Sequence, residues 1–174
     1  MADNVYCVIK ICAMTILEGI AEYNGKKYYF FEDISLDEYV EPDMYYCLTL
    51  LDDNVFNLSM ENWEYWKMWL KRYIKPHFKI NPTMELVPHP VDYAERRKTM
   101  TMEKIFSNIK IKKDLKNTFM ELTEKYYQND KKIKEYIKNH KPIYKAKGIF
   151  NSDFGSDIMG LNNTEVIWEN LVKI

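Results

Sequence analysis

Short apolar and β-branched runs mark both ends of this chain, whereas apolar positions recur every three or four residues in its middle. The first pattern is that of strands, the second that of helices. Val5 to Leu17 is rich in Val, Ile, Thr and Cys, with too few polar positions for an amphipathic helix, and predicts one central strand. Ile20 to Tyr23, then Asn24-Gly25, then Lys26 to Phe31 predict a hairpin, because Asn-Gly supplies the two positive φ angles of a tight turn at little steric cost. The acidic stretch Ile34 to Asp43 contains Pro42 and predicts an exposed loop, followed by a third short apolar run, Met44 to Leu51.

Asp52-Asp53-Asn54 then offers N-cap side chains. Helical spacing is clear from Ser59 onward through Trp63, Trp66, Leu70 and Tyr73, while alternation over Asn57 to Glu61 leaves the helix start open by several residues. Pro76 ends this helix, and the proline-rich stretch to Pro90 predicts an irregular connection. Asp92 is a candidate cap for a helix from Tyr93 to about Ile109. Lys112 to about Lys138 predicts a long amphipathic helix with Leu115, Phe119, Leu122, Tyr126, Ile133 and Ile137 on one stripe; Asn129-Asp130 is a candidate break and Pro142 the stop. Ile143 to Phe150 and Glu165 to Lys173 predict a closing pair of strands.

These elements predict an α+β fold: an antiparallel sheet with the aromatic helix and the long lysine-rich helix packed on one side. The 174 residues suit a single α+β domain over 1–174, with a helical insert over about 92–140 as the alternative organisation. A hydrophobic content of 47% is ample for a core and excludes wholesale disorder. Three cysteines, Cys7, Cys12 and Cys47, show no metal-like spacing and predict reduced, buried thiols. The apolar run at the start follows Asp3 and contains Lys10, which suits neither a signal peptide nor a membrane span, so a cytoplasmic protein is expected.

A formal net charge of -1 hides two opposite blocks. Residues 18–64 carry twelve acids and two lysines, a balance of -10; residues 95–147 carry sixteen bases and seven acids, a balance of +9. Such fields steer partners without naming them. The acidic loop, with Asp37, Glu38, Glu41 and Asp43, has the spacing to occlude a basic protein, and Trp69, toward the edge of the tryptophan face, is a candidate anchor beside it. The bland alternatives are acidic and basic blocks that neutralise each other within the fold, and tryptophans that pin the helix to the sheet. Lys112, Lys113, Lys116, Lys131, Lys132 and Lys134 could track phosphates of a nucleic acid, though such surfaces favour Arg, and the block has only Arg96 and Arg97.

Catalytic signatures are weak. His89 with Asp92 could form a base–carboxylate pair with Cys47 as nucleophile, but nothing in their spacing requires it. The C-x-x-C, H-E-x-x-H and phosphate-loop patterns are missing from the sequence, and Asp153-Phe154-Gly155 stands without the other kinase segments. No cofactor is implied.

The segments EYNGKKYYF, YYCLTLLDDNVFNLSMENWEYWKMWL, His89-Pro90 and KGIF with TEVIWENL resemble a loosely defined set of short bacterial proteins of unknown function. That set shares a hairpin, an N-W-x-x-W helix and a late strand pair. The resemblance covers about half the chain; the lysine-rich stretch around 100–140 and the N-terminal strand depart from it. It implies a small cytoplasmic bacterial α+β protein and brings no site residues. The leading functional expectation is therefore a non-enzymatic protein-interaction module, of immunity or accessory type, with a basic protein as partner. The alternatives are nucleic-acid binding through the helix of 110–138 and a hydrolase using His89 and Asp92.

Overall fold

The computed structural model describes residues 1–12, 15–33, 44–74, 90–107, 113–151 and 164–174. As expected, the protein is α+β with an antiparallel sheet, but the sheet closes into a six-stranded barrel in which each strand neighbours the next in sequence. The strands are β1 (Asp3–Cys12), β2 (Thr15–Tyr23), β3 (Lys26–Glu32), β4 (Tyr45–Leu50), β5 (Tyr144–Asn151) and β6 (Glu165–Lys173). Between β4 and β5 run the helices α1 (Asp53–Ile74), α2 (Pro90–Arg97), α3 (Met102–Phe106) and α4 (Lys113–Asn139). The chain divides into two compact units, Met1–Phe56 with Tyr136–Ile174, and Asn57–Glu135.

Three elements differ from their sequence signals. The run Val5 to Leu17 is two antiparallel strands, since Cys12 pairs with Thr15 and Val8 with Gly19. Ala13 and Met14, between the two strands, lie outside the described residues, and the sequence there has none of the Gly, Asn, Asp or Pro that mark a turn. The single helix expected from Tyr93 is two short ones. Met100 N–H donates to the Arg96 carbonyl, closing a turn, and the Thr101 hydroxyl then accepts from Lys104 N–H at 3.3 Å as the cap of α3. Asn129-Asp130 does not break α4. The start of α1 is set by Asp52, whose carboxylate accepts from Val55 N–H at 2.8 Å.

Inside the barrel the rings of Phe30, Tyr46, Phe150 and Trp168 form a tetrad in which all six pairs of centroids lie within 6.1 Å. Rings of this size fill the lumen that side-chain alternation presents to them. Two glycines make room. A Cβ on Gly19 would overlap the Cys7 carbonyl oxygen and stand 2.7 Å from the Phe30 ring; one on Gly148 would stand 2.9 Å from the Tyr46 ring. The Tyr46 hydroxyl, buried among these groups, donates to the Ile16 carbonyl at 2.6 Å. Asn24 and Gly25 take positive φ, 50° and 70°, in the expected hairpin turn between β2 and β3.

The helical unit has a core of Tyr93, Ile105, Phe106 and Phe119, with Met100, Met102, Met120 and Tyr127 around it. Trp63 and Tyr65 of α1 are buried, and the Tyr65 hydroxyl lies 2.8 Å from that of Thr123 on α4. Glu124 joins α4 to α2. Its carboxylate accepts from the Tyr93 hydroxyl at 2.6 Å, from Arg97 Nε at 3.0 Å and from the Gln128 amide at 2.8 Å.

Candidate functional site

Strands β5 and β6 present the most distinctive surface of the barrel unit. Tyr144, Ala146, Gly148 and Phe150 face inward, so Lys145, Lys147, Ile149 and Asn151 face out. Across the ladder Ile149 is paired with Ile167, Lys147 with Glu169, and Asn151 with Glu165. Ile149 and Ile167 are each 42% exposed. Two large apolar side chains, directly opposed, thus sit on the outer face with exposed Glu165 and Glu169 at either side of Ile167. Neither glutamate makes an ion pair among the described residues, and Glu165 faces an uncharged partner. Aliphatic side chains in that setting leave a large part of their surface in water, where another surface can cover it.

The backbone of β6 adds a second feature. Its pairing with β1 is confined to Asp3–Val166 and Asn4–Glu165, with Val5 N–H donating to the Thr164 carbonyl at 3.0 Å. From Ile167 to Lys173 the side of β6 away from β5 pairs with no strand among the described residues. In an antiparallel ladder hydrogen-bonding direction alternates along the strand. Thr164 bonds to β1, so Val166 and Trp168 point the same way, and the main-chain groups of Trp168 face the open edge. Ile174 N–H donates to the Ile143 carbonyl at 3.0 Å, which turns Lys173 to that same edge. Between them Asn170 takes a positive φ of 51°, where two residues of β6 oppose Ala146 in a bulge. The Trp168 indole N–H donates to the Glu22 carbonyl at 3.1 Å, anchoring the strand to β2 at the seam.

The sequence did not single out this face. A signal was nonetheless present: Val166-Ile167-Trp168 and Gly148-Ile149-Phe150 are apolar at both strand parities. A barrel lumen takes only one parity, so the other faces out.

The residues that the sequence did single out are dispersed. Asp37, Glu38, Glu41, Asp43, His89 and Lys112 lie outside the described residues, and Trp69 lies in α1 with its side chain outside them. Of the lysines of α4, Lys113, Lys131, Lys132 and Lys134 are exposed and Lys116 is half-buried. They do not make one continuous stripe. Lys116 and Lys131 are about 22 Å apart along the axis, and Met120, Glu124 and Tyr127, in the same stripe between them, pack into the helical core or bond to α2. Lys132 lies about 100° around the helix from Lys131, and Lys134 is bound to Asp130 at 2.7 Å. Asp92 is exposed in the first turn of α2.

Members of the two charge blocks meet in both units. Lys145 binds Asp33 at 2.6 Å in the barrel, and Lys125 binds Glu61 at 3.2 Å in the helical unit. Glu18 and Glu22 accept from the hydroxyls of Tyr29 and Tyr6. The Asp33 hydrogen bond holds the Lys145 ammonium above the usual lysine range. Burial, then the Asp33 carboxylate, push the Cys47 thiol up. That is the opposite of the shift that activates a cysteine nucleophile. Burial pushes the Cys7 thiol up to about 12. Among the described residues no three His, Cys, Asp or Glu side chains converge as metal ligands would, and no helix is long and apolar enough to cross a membrane.

Comparison with known proteins returns no match: no family model, no curated protein and no solved structure is significantly similar to this chain.

Proposed function

We propose that the protein is a non-enzymatic protein-interaction module that docks a partner protein on the outer face of β5 and β6. The observation that carries this reading is the exposed Ile149–Ile167 pair bracketed by Glu165 and Glu169. An apolar centre rimmed by charge is the anatomy of a protein interface. The charge fits a partner that sets a basic group beside an apolar one, in keeping with a basic protein. A cytoplasmic setting, an immunity or accessory role, and membership of the loose bacterial set that the hairpin and tryptophan helix resemble belong to the same proposal.

The test compares the wild-type chain with the double variant Ile149→Lys, Ile167→Lys as bait in an extract of the source cells, after both are shown to share a thermal midpoint. The proposal expects one protein retained by the wild type and lost at least ten-fold by the variant. No retained protein, or equal retention by both, overturns it. Nucleic-acid binding through the exposed Lys113, Lys131 and Lys132 predicts instead retention of DNA or RNA that falls steeply with salt and is unaffected by the isoleucine changes.

A further inference from the structure

The geometry points to strand addition as the docking mode: an extended segment of the partner, short and carrying a basic residue between apolar ones, pairs with the open edge of β6 from Ile167 to Lys173. This inference rests on the reading that β5 and β6 form the docking face.

A strand edge that is paired on one side offers a row of main-chain donors and acceptors on the other. Here the ladder fixes which groups these are. Trp168 and Lys173 turn their N–H and C=O away from β5, as the bonds of Val5 to Thr164 and of Ile174 to Ile143 require. An incoming strand gains affinity from those groups irrespective of its sequence, and selectivity from the side chains that it sets beside those of β6. On the outer face it would meet Ile167 and Glu169, and past the bulge Val172, which is 58% exposed. Directly opposed residues of an antiparallel pair prefer opposite charges and matched apolar groups. The segment that fits therefore places an aliphatic residue against Ile167 and, two residues away, a lysine or arginine against Glu169.

The bulge at Asn170 limits what can be added. Its positive φ bends and twists the edge, a device that discourages long flat strands from pairing indiscriminately. A segment of about five to seven residues spans the edge on either side of it. Lys173 adds a further guard, since a charged residue on an edge deters a second copy of the same edge.

The test uses the full chain, isotope-labelled, titrated with an acetylated seven-residue peptide alternating valine and lysine. Two control peptides alternate valine with glutamate, or carry N-methyl groups on one hydrogen-bonding edge. Strand addition predicts saturable shifts concentrated on the amides from Ile167 to Lys173, with at least ten-fold weaker binding of both controls. Lys173→Pro, which removes an edge donor and leaves the Ile174–Ile143 bond, predicts a similar loss. No saturable shift, equal binding of the N-methylated peptide, or shifts centred elsewhere overturns it. The two proposals fail separately. A partner lost by the isoleucine double variant but held undiminished by Lys173→Pro contradicts strand addition alone. A partner lost by neither contradicts the docking face itself.

Discussion

In the barrel unit, four aromatic rings touch pairwise and two glycines leave the space that they need, so its order rests on shape. In the helical unit, a carboxylate shared by Tyr93, Arg97 and Gln128, and a hydroxyl pair between Tyr65 and Thr123, tie the helices across a small apolar core. Shape fails abruptly when atoms are added. A hydrogen-bonded hub fails by degrees, and with pH. The barrel wall also carries the exposed apolar pair and the strand edge on which docking is proposed.

Four substitutions put this contrast to the test. Gly19→Ala should have the largest effect, because its Cβ would overlap a backbone carbonyl that cannot move without breaking the β1–β2 ladder. A loss of about 3 kcal/mol or more is expected in urea unfolding; a loss below that of the next variant would invert the comparison.

Glu124→Ala should cost about 2 kcal/mol, since three donors lose one charged acceptor. Burial raises the Glu124 carboxyl, but the hydrogen bonds from Arg97, Tyr93 and Gln128 outweigh it and hold the group below its usual range. The folded state thus favours the ionised form. Its stabilisation is complete above the unfolded value and disappears as pH falls through the folded one. Urea midpoints of the wild type should therefore drop in acid by more than those of Glu124→Gln, and equal slopes would contradict the assignment.

Tyr46→Phe keeps the ring tetrad and deletes only the hydroxyl bonded to Ile16. About 1 kcal/mol should be lost, with the near-ultraviolet circular-dichroism band of the Trp168 indole retained. Thr49→Val should have the smallest effect. The Thr49 hydroxyl is buried and finds no hydrogen-bond partner among the described residues, so an isosteric methyl should leave stability within about 0.5 kcal/mol of wild type or raise it. A clear loss there would mean that the hydroxyl has a partner.

Local chemistry made much of the fold legible. Asn24-Gly25 marks its turn because few other dipeptides hold two positive φ angles, and Asp52 marks the start of α1 because a carboxylate satisfies its first free N–H groups. What was not legible depends on distant contacts. Val5 to Leu17 carries no turn residue in the sequence, so only the pairing of β1 with β2 reveals two strands there. Closure of the barrel rests on Asp3 and Asn4 meeting Val166 and Glu165, more than 160 residues away in sequence, a pairing that no local pattern encodes. The same holds for the lysines of α4. Their periodicity is regular, yet Glu124 within the stripe is taken up by Tyr93 and Arg97. The candidate face has no signature of its own in the sequence, because an outward isoleucine in a strand looks like core until its parity is known.

Docking by strand addition requires β6 to have one paired and one open edge, and residue-resolved hydrogen exchange of the free protein tests this directly. The Trp168 and Lys173 amides, which face the open edge, should exchange at least a hundred-fold faster than those of Ile167 and Ile174, which face β5. Protection of Trp168 and Lys173 equal to that of their neighbours would show the edge to be already paired and would contradict the assignment of β6 as the docking strand.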